Sequence, residues 1–216
     1  MKRRTILRQL GVGGLLGVGG CVDTPSAESR SSATSTTPPR ERLQRHISLA
    51  REESVPDKCP VRVETEVLKS TITDTHTARI RVTITNDGPA REISVSTGGC
   101  SLFNRWSQTS QPRGLWLGFA DEPQYVTKQG PQWVADPPEK GFPDYGCAGR
   151  TYASGESVHN EYGIYHDGRV GGYLESGTYR FAEEFTISKS GEQNTGESIS
   201  YAFVLTLENP NCTLCF

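Results

Sequence analysis

The sequence predicts an all-β fold: an antiparallel β-sandwich of about seven strands, interrupted by a long Trp-containing insert. Three observations carry this expectation. Apolar and polar residues alternate with period two through Val61–Val67 and Ala78–Thr85, and large apolar residues recur at every second position of Ile199–Leu207, and that is the period of a strand. Turn-forming clusters such as Asn86-Asp87-Gly88-Pro89 and Asp167-Gly168 separate the runs. Composition agrees, since 23 Gly, 13 Pro and one Met among 216 residues do not suit a helical bundle.

The chain begins with a leader, residues 1–20. Lys2, Arg3, Arg4 and Arg8 stand ahead of an uncharged run from Gln9 to Gly20 with no acid among them. That asymmetry retains an N-terminus on the cytoplasmic side. The run is short and glycine-rich, whereas a spanning helix needs roughly 20 mainly apolar residues, so it reads as an export signal. The Arg3-Arg4 pair before a weakly apolar run reads as a twin-arginine (Tat) signal. Val18-Gly19-Gly20-Cys21 resembles a lipobox, which implies diacylglycerol on Cys21 after cleavage before it. The whole leader resembles those of haloarchaeal secreted lipoproteins. The resemblance implies a location on the extracytoplasmic face of the membrane, held there by the lipid.

Residues 21–55 read as a tether. Thr24–Arg40 is almost all Ser, Thr, Pro, Ala and charge, with too little apolar surface to offset the entropy of ordering it. Arg40–Glu53 carries Leu43 and Ile47 four residues apart, a spacing that predicts a short helix over 40–53. Without the leader the chain has 19 basic and 25 acidic residues, a net charge of −6. That acidic balance argues against a nucleic-acid partner.

The folded domain is expected over 56–216. Val61–Val67 and Ala78–Thr85 are strands, and Arg91–Ser96 is a third. The Asn-Asp-Gly-Pro turn makes the last two consecutive antiparallel partners. The insert, 101–150, holds Trp106, Trp116 and Trp133, with short strands at Leu115–Phe119 and Tyr125-Val126. A strand follows Gly155-Glu156-Ser157, with Asn160 breaking its apolar parity and marking a bulge or an edge. Leu174-Glu-Ser-Gly-Thr-Tyr-Arg-Phe181 resembles the approach to strand F of an Ig-like sandwich, which implies a tyrosine corner at Tyr179. Ala202–Leu207 is apolar on both parities, as in a central strand covered on two sides. The order T-N-D-G-P, G-E-S, L-x-x-G-x-Y-x-F resembles the BsuPI-type proteinase-inhibitor domain over Val61–Ser96 and Gly155–Leu207. It implies an Ig-like fold, and the insert departs from that pattern.

With Cys21 assigned to lipid, five cysteines remain. Cys100 and Cys147 bracket the insert, and Cys59 could meet Cys212 or Cys215, so these are the disulfide candidates for an oxidising compartment. Cys212-Thr-Leu-Cys215 is also a C-x-x-C, but it lacks the following helix that thioredoxin-like chemistry uses. No hydrolase, zinc-protease, Walker or Rossmann motif is present. His159 and His166 are seven apart, on opposite faces of a regular strand. The sequence thus assigns no catalytic residue, metal or cofactor. Glu183-Glu184 reads as solvated surface. Trp106, Trp116, Trp133, Tyr125 and Tyr145 are the candidate binding platform for a surface protein or glycan, and the alternative is a small satellite core. The expected role is a non-catalytic binding or structural module. Its rivals are a proteinase inhibitor and an enzyme with its site in 101–150.

Overall fold

Period-two alternation dictates strands, and strands with one apolar face must bury it against a second sheet. The computed structural model describes residues 43–95, 102–138, 149–189 and 196–210. All of these lie in the second of two units that divide the chain at Arg40/Glu41. The expected leader, with Arg3, Arg4 and Cys21, lies outside the described residues, as do Cys100, Cys147, Cys212, Cys215 and Tyr145.

The described chain is an all-β sandwich of twelve strands with one 3-10 turn, Arg105–Gln108. The strands are β1 Gln44–Glu53, β2 Val61–Lys69, β3 Thr71–Thr73, β4 Arg79–Asn86, β5 Arg91–Val95, β6 Leu115–Phe119, β7 Val126–Gln129, β8 Gln132–Ala135, β9 Arg150–Tyr152, β10 Ser157–Asp167, β11 Gly177–Lys189 and β12 Glu197–Glu208. One sheet runs β3-β1-β12-β11-β5-β9, the other β2-β4-β10-β8-β7 with β6 on β10. The total exceeds seven because the short strands, such as β3 and β9, carry too few residues for alternation to show. The pairing is antiparallel except for β10 with β8, where His166 and Asp167 run parallel to Val134 and Ala135. One core joins both sheets, with Ile47, Ile80, Tyr162, Phe181 and Phe203 each fully buried within it.

Three local expectations are corrected. Residues 44–53 form a strand, not a helix, so they do not belong to the tether expected over 21–55. The Leu43/Ile47 spacing does not discriminate, because a separation of four is even and also places both residues on one face of a strand. What decides is β12, whose edge pairs with β1 from His46↔Glu208 to Glu53↔Ala202. Second, β4 and β5 are not partners; they lie in different sheets. The side chain of buried Asn86 makes this corner. Its Nδ2 donates to the carbonyls of Pro89 (3.0 Å), Tyr152 (3.2 Å) and Ala153 (3.0 Å). Its Oδ1 accepts from Gly88 N (3.2 Å) and Arg91 Nε (2.8 Å). Third, the register of β10 on β4 runs without interruption through Asn160↔Val82.

A further tie closes the gap between sheets. Glu52 of β1 accepts from the Thr65 amide of β2 (2.5 Å) and from the Tyr201 hydroxyl of β12 (2.5 Å). It thereby covers one backbone donor on the otherwise open edge of β2, the kind of edge protection that long outer strands require.

The tyrosine corner is formed. Tyr179 Oη donates to the carbonyl of Glu175 at 2.7 Å, four residues upstream. Gly114 lets the ring approach: a Cβ there would lie 2.6 Å from Tyr179 Cε1. Tyr179→Phe keeps the ring and removes the bond, so it should cost about 1 kcal/mol. Urea denaturation checks this, and an unchanged midpoint would count against the corner as a stabilising element.

β12 is central, as its composition implies. Tyr201, Ala202, Phe203, Val204 and Leu205 are all buried, alternating between the two faces. Phe103, from the insert, stands edge-on to Phe203 (5.0 Å between centroids) and Tyr201 (6.2 Å). The start of the insert is therefore part of the main core.

Candidate functional site

The aromatic residues singled out in the sequence do not make one exposed platform. Trp116 lies on β6 and is 1% exposed, packed with Ala135 and Tyr165 in a small second cluster that Val126 and Trp133 flank. This is the satellite-core arrangement, and it corrects the platform expectation for Trp116. Trp133 on β8 is half-buried, and its Nε1 donates to the Thr73 carbonyl at 2.8 Å. Its backbone amide donates to the Tyr173 hydroxyl at 2.9 Å. Tyr125 remains at the surface, 39% exposed, with a positive φ of 61°. Trp106 lies in the 3-10 turn, and its side chain is outside the described residues.

A polar group organises the end of β10 next to this cluster. Asp167 is fully buried and receives Arg169 through two bonds, Nε to Oδ1 at 2.7 Å and Nη2 to Oδ2 at 2.8 Å. A second Arg169 Nη2 contact goes to Thr109 Oγ1 at 3.0 Å, and the guanidinium lies 5.4 Å from the Trp116 ring centroid. The bidentate fork satisfies the carboxylate and its flat face covers the indole, which is why arginine suits this position better than lysine. The group ties the insert to the 168–175 loop. Sequence reading missed it because Asp167-Gly168 looks like an ordinary turn.

His166 precedes it and is 6% exposed, with Nδ1 buried and without a hydrogen-bond partner among the described residues. His159 is exposed, so the two rings lie apart as the seven-residue spacing requires. Burial holds His166 below the ordinary imidazole value of 6.5, against the opposing pull of the Asp167 charge, the Gly114 and Val170 carbonyls and Glu175. The unfolded chain therefore takes this proton first as pH falls. The His166 contribution to stability is complete above about 6.5 and is lost below it. Melting temperature measured across that range should fall on the acid side, and His166→Gln should flatten this part of the slope. An unchanged slope in the variant would assign the effect elsewhere.

Glu183 corrects a second expectation. It is 3% exposed rather than solvated. One of its oxygens accepts from the Phe103 amide at 3.0 Å and from the Ser107 hydroxyl. The other accepts from the Glu184 amide at 3.2 Å. Adjacent Glu184 is exposed, as β-strand alternation demands of neighbours. That alternation, with Phe181, Glu183 and Phe185 on one parity, was the available signal. Nearby Tyr162 is pushed above the ordinary phenol range, first by burial and then by the Glu183 charge.

Cys59 carries a free, half-buried thiol whose pKa is raised by burial. Both sequence partners proposed for it lie outside the described residues. Among the described residues no cluster of three or more His, Cys, Asp or Glu is arranged to hold a metal. No described helix is long and apolar enough to cross a membrane. The chain matches no protein-family model, and neither a curated protein nor a solved structure shows significant similarity to it.

Proposed function

We propose that the protein is a lipid-anchored module on the extracytoplasmic face of the cell membrane, with a non-catalytic binding or structural role there. The leader supplies the anchor: Arg3-Arg4 for Tat export and Cys21 for the lipid. The observation that carries the reading is the position of β1, the strand in which the tether ends. β1 is an inner strand, paired with β12 on one edge and with β3 on the other. A load applied through the N-terminus is then taken up by an antiparallel ladder, and the Arg180–Glu53 pair (2.9 and 2.6 Å) fastens the far end of the same strand. Twenty-two residues, 22–43, separate Cys21 from β1.

The test is the intact mass of the full-length protein extracted from membranes. A mature chain beginning at Cys21 with a diacylglycerol increment is expected, and Cys21→Ser should leave the membrane fraction. A mature chain starting beyond Cys21, or one without lipid, overturns the anchor. For the binding role, cross-linking of the anchored protein on intact cells should give a discrete partner band that a leader-only control lacks.

A further inference from the structure

A cavity of about 180 Å³ lies beside the tyrosine corner, with Arg113, Gly114, His166, Gly171, Glu175 and Tyr179 in its wall. An apolar cavity of about 150 Å³ accepts a benzene-sized molecule, so the space suits a ligand of only a few heavy atoms. Its two charged residues are of opposite sign. Neither the Arg113 nor the Glu175 side chain makes an ion pair or hydrogen bond among the described residues, so they do not neutralise each other across the opening. Gly172 has a φ of +81°, a conformation that favours glycine, and its missing Cβ leaves room for the Glu175 side chain to lie close to the loop, since a Cβ there would lie 2.3 Å from Glu175 Oε1. The Gly171 amide, in the same wall, donates no hydrogen bond among the described residues.

We infer that this cavity binds a small zwitterion, a molecule of free-amino-acid size carrying one carboxylate and one ammonium group. A simple anion would gain from Arg113 and be repelled by Glu175, and a simple cation would meet the reverse. Only a ligand with both charges is favoured at both poles. Its carboxylate would take the Arg113 guanidinium and the Gly171 amide, and its ammonium the Glu175 carboxylate. Charge-assisted hydrogen bonds of this kind are the strong ones. The aliphatic part would lie against Leu174 and the Tyr179 ring, which are walls of the same cavity. His166 closes the space with a ring that is nearly all buried. The inference is independent of the lipid anchor.

The experiment is isothermal titration of the full-length chain in detergent with glycine, alanine and serine at millimolar concentration. Acetate, methylammonium and the two together serve as controls. Saturable binding of at least one zwitterion, with none of the controls binding, is expected. Arg113→Gln and Glu175→Gln each remove one pole and should weaken binding by about tenfold or more. Both residues are at the surface, so melting curves of the variants should match the parent and show that the fold is kept. Absence of binding by all three zwitterions, acetate binding as tightly as they do, or affinities that neither variant changes would overturn the inference.

Discussion

Glu183→Ala should destabilise the domain by roughly 3 kcal/mol, or about 6–12 °C in melting temperature for a domain of this size. The carboxylate reaches from the middle of β11 to the start of the insert, where it accepts from the Phe103 amide and the Ser107 hydroxyl. Alanine leaves the Phe103 amide in a dry interior with its desolvation uncompensated, while the Ser107 hydroxyl falls back on the Asn104 carbonyl at 2.8 Å. It also loosens Phe103, which fills the core against Phe203 and Tyr201 from a backbone φ of +51°. Nothing but its neighbours holds a non-glycine residue there. Glu183→Gln retains one acceptor and the volume, so it should cost clearly less than alanine. Thermal denaturation of the three proteins decides the matter. Equal losses for Gln and Ala would show that charge, and not acceptor geometry, holds the segment; a loss under about 0.5 kcal/mol in both would remove Glu183 from the account altogether.

Asn86→Ala should cost about as much, roughly 3 kcal/mol. A fully buried side chain here makes five contacts to the corner that carries the chain from one sheet to the other. The more telling variant is Asn86→Asp. It is nearly identical in shape, but it replaces the donor shared by three carbonyls with an acceptor, so those carbonyls face a charge instead of an N–H. Asp should therefore destabilise at least as much as Ala, although Arg91 lies beside it. Guanidinium denaturation compares the two; an Asp variant as stable as the parent would mean that the Oδ1 contacts alone make the corner.

Both predictions fall on residues whose importance the sequence concealed, and the reason is the same. Strand alternation announces which residues face inward, and it placed Ile80, Val82 and Ile84, and Tyr201, Phe203 and Leu205, in the core they occupy. It does not say what an inward polar residue will meet. Glu183 shares its parity with Phe181 and Phe185, yet the neighbouring Glu184 made the pair read as surface. Asn86 sits in a turn-forming tetrad, and such tetrads serve hairpins and sheet-to-sheet corners equally. The cavity beside Tyr179 was legible only in part. The L-x-x-G-x-Y-x-F pattern disclosed the corner, but Arg113 and His166 come from distant segments, and nothing local marks them as neighbours of Glu175.

The sequence by itself determined the class of fold, the alternating strands β2, β4 and β12, the tyrosine corner and the two-sided burial of β12. Each follows from periodicity or from a bond within a few residues along the chain. Tertiary structure alone decided that 44–53 is a strand, that β4 and β5 part into different sheets, that Trp116 is core, and that Glu183 is buried. These outcomes depend on partners far away in sequence. β12 lends its edge to residues 44–53, Tyr152 and Ala153 supply acceptors for Asn86, Tyr165 and Ala135 enclose Trp116, and the 102–107 segment gives donors to Glu183. A local pattern can specify a face, but only the partner that arrives on it determines what that face becomes.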